Sequence, residues 1–306
     1  MKKIKKIIIK PKSSFLTPIR ADIIFGQICW SILCNEGEEQ LKLFLSYFKN
    51  APFFLISDGF TDGYLPKPLI TVEKNREITK KERSKKIDEA KKAKKIKLIK
   101  VEDFINICKG EINTIDELIV PEYKSFFSVE KESIRNNTKN KDDGLFSQKE
   151  FWTNKKYSFY IKIINKDLFD KFLIEKYIHQ IFEILGYGAG TSIGKGFFDI
   201  EIEDFKYFDD LKGDYKILLS HCVLNKEERN LLLDSRYKIE LKYGKLGNIK
   251  SLSLNPFKKP LIQIIPGSII KTEKEYIGEM LNLIESQKEV LDYNYGLLVP
   301  SLTKSI

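Results

Sequence analysis

The chain has 306 residues, 42% of them hydrophobic and 12% aromatic, and carries a net charge of +10 at pH 7. That supports a sizeable core, leaves room for two domains and excludes a disordered chain, while the basic balance points to a polyanionic partner. No stretch approaches a membrane span, and four cysteines without a CxxC pair (Cys29, Cys34, Cys108, Cys222) fit a reducing, cytoplasmic setting.

In chain order, KKIIIKPK predicts a first strand, its apolar run being too short for a signal-peptide core. ADIIFGQICWSIL (21–33) predicts a buried helix from the overlapping turns of Ile24, Ile28, Ile32 and Trp30, and EEQLKLFLSYFK a second helix. PFFLIS (52–57) reads as a short strand and DGFTDGYLPKP (58–68) as an irregular, turn-rich stretch. Residues 70–150 are polar and charged, with helices expected near 79–94 and 101–109. Within them, KKERSKKIDEAKKAKKIKLIK (80–100) holds ten lysines, one arginine and three acids, a balance of 11 − 3 = +8. Two readings stand: an electrostatic footprint for nucleic acid, or a solvated helix face. KYSFYIKIIN (156–165) alternates as a strand, DLFDKFLIEKYIHQIFEIL (167–185) has helical spacing, and FFDIEIEDF (197–205) reads as a strand.

Setting the insertion aside leaves strand, helix, strand, strand, helix, strand, the ferredoxin-like order, whose sheet also serves RNA-binding modules. Beyond residue 206, YKILLSHCVL, YKIELKYG, PLIQIIPGSII and NYGLLVP predict a second, β-rich unit, with a helix over EKEYIGEMLNLIESQKEVL.

Five glycines crowd GYGAGTSIGKGFF (186–198). Glycine reaches positive φ and lets another group approach the backbone closely. A Walker loop needs Gly, four residues, then Gly-Lys-Ser/Thr; Gly190 to Gly194 leaves three residues, and Gly196 follows Lys195. A dinucleotide fingerprint needs glycine where Thr191 or Ile193 stands, and the order helix–loop–strand is the reverse of both motifs. An anion here would rest on loop amides and Lys195; otherwise the loop is a plain connection.

Catalytic signals are sparse. His179 and His221 have no partner at zinc-ligand spacing, there is no Gly-x-Ser-x-Gly elbow, and the pairs Asp142/Asp143 and Asp209/Asp210 read as solvated. Metal-independent RNA cleavage needs only a general acid and base, for which lysine and tyrosine abound, but the sequence singles out no pair.

KPKSSFLTPIRADIIFGQICW, SDGFTDGYLPKPL, NTKNKDDGLFS, GYGAGTSIGKGFFDI, NPFKKPLIQIIPGSII and YNYGLLVP occur in that order. Together they resemble subunit four of the type III-A CRISPR effector (the Csm complex), a RAMP-superfamily protein. The resemblance implies an α+β chain of two tandem ferredoxin-like (RRM-like) domains. Residues 1–205 would form the first, with a charged insertion at 70–155 and the glycine-rich loop at 186–196; residues 206–306 would form the second. It further implies a non-catalytic RNA-binding subunit without cofactor. Such a subunit holds the 5′ repeat-derived tag of the CRISPR RNA, joins the large Cas ten-family subunit to the backbone RAMP subunit, and meets target RNA only indirectly. The RNA-binding residues it suggests are Arg20, Lys67, Arg135, Asn136, Thr138, Gly188, Gly190, Thr191, Ser192, Gly194 and Lys195. Phe146 would belong to a thumb-like hairpin, at its tip or packed at its base. The family's Ile-Asp-Arg pattern is altered here: Arg135 directly follows Ile134 and the aspartate is missing. The alternatives are a metal-independent repeat-processing endoribonuclease on the same fold and the equivalent type III-B subunit.

Overall fold

The computed structural model describes residues 3–70, 96–111, 127–132, 145–247, 255–284 and 289–303, with side chains omitted for 127–132 and 145–149. The helix expected over 79–94, and Arg135, Asn136 and Thr138, lie outside the described residues.

The N-terminal part runs β1 (Lys3–Pro11), α1 (Ala21–Glu36), α2 (Glu38–Asn50), β2 (Phe54–Ile56), β3 (Phe60–Thr61), β4 (Tyr64–Pro66), β5 (Leu98–Lys100), α3 (Val101–Cys108), β6 (Phe127–Glu132), β7 (Leu145–Glu150), β8 (Tyr157–Ile163), α4 (Lys166–Lys171), α5 (Ile174–His179) and β9 (Phe198–Asp204). The main sheet has the order β2-β8-β1-β9, with β3 also on β8, and its pairs are antiparallel. This is the sheet expected from strand, helix, strand, strand, helix, strand. Alternation sets its faces. Ile7 and Ile9 of β1 stand opposite Phe159 and Tyr157 of β8, and opposite Ile202 and Ile200 of β9.

The opposite face carries Lys6, Tyr160, Lys162 and Glu203. RNA-binding sheets of this kind stack bases on aromatics. Here Tyr160 is buried under the rings of Phe205 (4.8 Å) and Phe208 (5.8 Å). Lys6 pairs with Asp62 (3.0 Å) and Glu203 (3.1 Å), and Lys162 with Glu275 (3.1 Å). That face is therefore not an open stacking platform at Tyr160.

The C-terminal part comprises β10 (Tyr215–Leu218), a 3-10 helix (Glu227–Asp234), β11 (Ile239–Lys242), β12 (Leu261–Ile264), β13 (Ile269–Lys271), β14 (Tyr276–Ile277), β15 (Met280–Leu281), β16 (Asp292–Tyr293) and β17 (Gly296–Ser301). Its four-stranded sheet has the order β13-β10-β17-β14, and β11 pairs with β12 as a separate ladder. The molecule is thus α+β with several antiparallel sheets. The order of the second sheet differs from that of the first, and among the described residues of this part no α-helix covers it. The expected boundary at 205/206 falls between β9 and β10, but the apolar core crosses it. Tyr293 stacks on Phe25 at 4.8 Å, its hydroxyl accepts the Ile56 amide (3.0 Å), and Tyr295 donates to the Phe48 carbonyl (2.8 Å).

Several local expectations are corrected. The segment 167–185 is not one helix: after α4, Leu173 takes a left-handed conformation (φ 51°), α5 follows, and Gln180–Leu185 is a π-helix. A continuous helix from Phe169 would bury 173 and 176. Leu173 and Lys176 are instead exposed while Ile174, Tyr177 and Ile178 are buried, so the break rephases the apolar stripe. The helix expected over EKEYIGEMLNLIESQKEVL is replaced, where described, by β14 and β15. Gly278 (φ 93°) lies where a Cβ would collide with the Asn294 carbonyl, and Tyr276 pairs with Leu297. The stretch 58–68 contains β3 and β4, and His221 lies beyond β10 rather than within a strand.

Candidate nucleic-acid interface

The glycine loop folds onto residues 13–18. The Ala189 amide donates to Thr17 Oγ1 (2.9 Å), the Gly196 amide to the Ser14 carbonyl (2.8 Å) and the Phe197 amide to Ser13 Oγ (3.0 Å). Tyr187 Oη donates to the Pro18 carbonyl (2.8 Å) and accepts the Arg20 amide (3.0 Å). Inside the loop, the Ile193 and Lys195 amides both donate to the Gly190 carbonyl at 3.1 Å, and Gly194 to Thr191 at 3.1 Å. Gly188 and Gly190 both have φ 79°. A Cβ at 188 would collide with Thr17, and one at 190 would come within 2.8 Å of Leu16 Cδ1. These glycines are dictated by positive φ and close packing, and much of the loop's donor capacity is internal.

The loop also anchors the β6–β7 hairpin. Lys195 Nζ donates to Ser14 Oγ (2.7 Å) and to Glu150 Oε2 (3.2 Å), and Glu150 is 5% exposed at the end of β7. The next residue, Phe151, pairs with Phe15, their rings stacked at 4.9 Å. Lys195 is thus a strut between loop and hairpin root. Phe146 stands on β7 opposite Lys131, in the second pair from the connecting end. Ser192 and Gly194 face outward, with Thr191 half-buried. Ile193 (62%), between them, and Trp152 (60%), next to Phe151 at the hairpin root, are exposed. Trp152 is a stacking candidate that sequence reasoning missed, because its exposure depends on Phe151 taking the inward place.

Arg20 is elsewhere, in a polar seam between the two parts of the chain. It precedes α1, and its guanidinium donates to Asp22 (3.3 Å), Glu240 (3.2 Å) and Gln263 (2.6 Å). Lys242 also bonds Asp22. Gln263, fully buried, donates onward to Asn294 (2.9 Å). Asp58 accepts the Ala21 amide (2.9 Å) and the ring Nδ1 of His221. Burial alone would raise the Asp58 carboxyl, but the charge and hydrogen bond of His221, with Arg20 and the Ala21 amide, hold it below its ordinary range. His221 Nε2 lies 3.8 Å from Glu240 Oε2. The sequence placed none of these partners together.

Lys67 lies further along the seam, on a loop stiffened by Pro66 and Pro68. Its amide donates to the Lys97 carbonyl (2.9 Å), and the Leu69 amide donates to Gly267 (2.9 Å). Burial first, and then the neighbouring charge of Lys238, push the Lys67 ammonium below its ordinary value. The structure therefore gathers Gly188, Gly190, Thr191, Ser192, Gly194 and Lys195 with the hairpin root, and holds Arg20 and Lys67 apart from them. Among the described residues there is no cluster of three His, Cys, Asp or Glu placed to hold a metal, and no helix long and apolar enough to cross a membrane.

The whole architecture, from β1 to β17, has the fold of chains in solved type III-A CRISPR–Cas assemblies. A chain of a Csm1–Csm4 cassette solved with cA4 matches at 19% identity and a TM-score of 0.65, over 99% of this chain and 100% of that one. A chain of the cassette solved with pppApA matches at 18% and 0.64, over 99% and 100%. A chain of a Csm3–Csm4 subcomplex from a type III-A interference complex matches at 17% and 0.62, over 97% and 99%. Csm4 is common to these assemblies, and the chain has a Csm4-like fold. A scan against protein-family models finds no match, and no curated protein matches the sequence.

Proposed function

We propose that this chain is the Csm4-type subunit of a type III-A CRISPR interference complex. In this reading it holds the 5′ repeat-derived tag of the guide RNA and joins a Csm1-like (Cas ten-family) large subunit to a Csm3-like backbone subunit, without catalysing a reaction. The observation that carries the reading is the end-to-end match to chains from both kinds of assembly. The site chemistry supports it. Ser192, Thr191 and the outer rim of the glycine loop offer donors for a sugar-phosphate chain. Trp152 offers an exposed ring for a splayed base, and Lys195 keeps loop and hairpin in register. Guide sequence would then be read by base pairing rather than by this chain.

Co-expression with the large and backbone subunits tests it. The expected result is a ternary complex whose co-purifying RNAs share one 5′ end derived from the repeat. A chain that joins neither subunit, or RNA with random 5′ ends, overturns it.

A second reading, a metal-independent endoribonuclease, draws on the Asp58–His221 pair, in which a carboxylate orients an imidazole as in general acid–base sites. Against it, His221 Nε2 is turned toward Glu240, and Arg20 and Lys242 are engaged by carboxylates.

A further inference from the structure

The ribbon of β11 and β12 is inverted with respect to its own apolar residues. Its inner face is polar: Arg20 donates to Glu240 and Gln263, Gln263 donates to Asn294, and Lys242 bonds Asp22. Alternation then sends the apolar residues outward. Ile239 (60%), Leu241 (49%) and Tyr243 (74%) are exposed, as is Ile262 (60%), which stands opposite Leu241. At one end the row continues a buried cluster, since Ile239 stands opposite Ile264, which belongs with Cys222 and Leu224 to a small apolar core. At the other end Phe257, opposite Lys245, is exposed, with the Lys245 ammonium 5.8 Å from its ring. A slip of one residue would turn this row inward, but the ion pairs and hydrogen bonds of the seam hold the polar face there instead.

The edge of the ribbon is open as well. The Ile265 amide donates to the Lys238 carbonyl (3.0 Å) and the Lys258 amide to the Gly244 carbonyl (2.9 Å). Even-numbered residues of this strand therefore turn their backbone groups toward the neighbouring strand, and those of Ile239, Leu241 and Tyr243 point away from it. Among the described residues, β11 pairs with β12 alone. An apolar row beside an unpaired edge is a template for an added strand, with main-chain bonds for affinity and alternate side chains for specificity. Charge narrows the occupant. The exposed Lys238 and Lys245 flank the row at its two ends, and the one acid of 237–247, Glu240, belongs to the inner face. A second copy, paired antiparallel about Leu241, would bring Lys245 of each copy beside Lys238 of the other, an unfavourable meeting of like charges. We propose that the outer edge of β11 takes up an extended, acid-bearing strand of a protein partner by sheet addition, apolar at the positions beside Ile239, Leu241 and Tyr243. The inference rests on the reading of the chain as an assembly subunit and names the surface that one partner uses.

The test uses the full chain with the large and backbone subunits of the proposed complex, read by pull-down titration and by backbone deuterium exchange. Exchange at the Ile239, Leu241 and Tyr243 amides should be fast in the chain alone and slow in the complex. Leu241→Glu/Tyr243→Glu should weaken capture of one subunit about tenfold or more, while the melting temperature of the isolated chain stays within about 2 °C of wild type. Leu233→Glu, at an exposed apolar residue of the 3-10 helix, should change neither quantity. Wild-type capture by the double variant, or lost capture without slowed exchange at the three amides in the wild-type complex, overturns this inference alone. Slow exchange in the isolated chain overturns it too, in favour of a second copy where the slowing depends on concentration and of one of the chain's own segments where it does not. A wild type that captures neither subunit overturns both this inference and the assembly reading.

Discussion

The glycine loop and the polar seam around Arg20 make different use of charge. In the loop, one lysine sits among five glycines, and its ammonium is bound to Ser14 and the buried Glu150. In the seam, Arg20 and Lys242 meet the carboxylates of Asp22 and Glu240, and His221 meets Asp58. The region that draws the eye in the sequence is mainly a packing device, with a rim of donors on its outer side. The seam is assembled from segments more than 200 positions apart, and its charges answer one another. Glycine density reports backbone geometry; charge density must be counted in space.

The largest effect should come from the polar seam. Asp58→Asn leaves His221 without its carboxylate and should cost about 3–5 kcal/mol, read by denaturant melts. Because the folded Asp58 is held below its ordinary 3.8, its stabilisation is present above that pH and is lost as pH falls through the folded value. Wild-type stability should therefore drop in acid, with a shallower fall in the variant.

Next comes the loop itself. Gly188→Ala combines a φ of 79° with a collision at Thr17 and should cost about 2–4 kcal/mol. Lys195→Ala removes the ammonium that bonds the buried Glu150 and should cost about 1–3 kcal/mol while weakening RNA binding through a loosened hairpin root. Restored stability in a Lys195→Met/Glu150→Gln pair would confirm the strut. Smallest is Gly194→Ala, with φ 78° but no atom within 4 Å of a Cβ, at about 1 kcal/mol. Equal losses at 188 and 194 would show that packing against Thr17 does not matter, and the contrast drawn above would fail on its loop side.

What the sequence disclosed follows from locality. KKIIIKPK, the alternating KYSFYIKIIN and FFDIEIEDF marked three strands of the first sheet, whose period of two sets each side chain's face. The helices of 21–33 and the following segment were legible for the same local reason. Non-local effects defeated it. Leu173 adopts a left-handed turn because Ile174 and Tyr177, not Lys176, must reach the core. The apolar spacing of Tyr276, Met280 and Ile284 imitates a helix, but Gly278 must pass close to Asn294, and β14 pairs with β17 instead.

The candidate site divides in the same way. The glycine-loop residues were named from sequence, although the partners of Lys195 were not. The resemblance suggests Arg20 as an RNA-binding residue, but Asp22, Glu240 and Gln263 hold it, two of them more than 200 positions away. No local signal marked the neighbourhood of Lys67 and Lys238.

The most direct test of the central claim, RNA held but not cut, is incubation of the purified chain with end-labelled repeat RNA in EDTA, resolved on a denaturing gel beside a filter-binding assay. The account predicts RNA retained on the protein at full length, with His221→Ala indistinguishable from wild type on the gel. Cleavage at a single site in the repeat, abolished by His221→Ala, would contradict it.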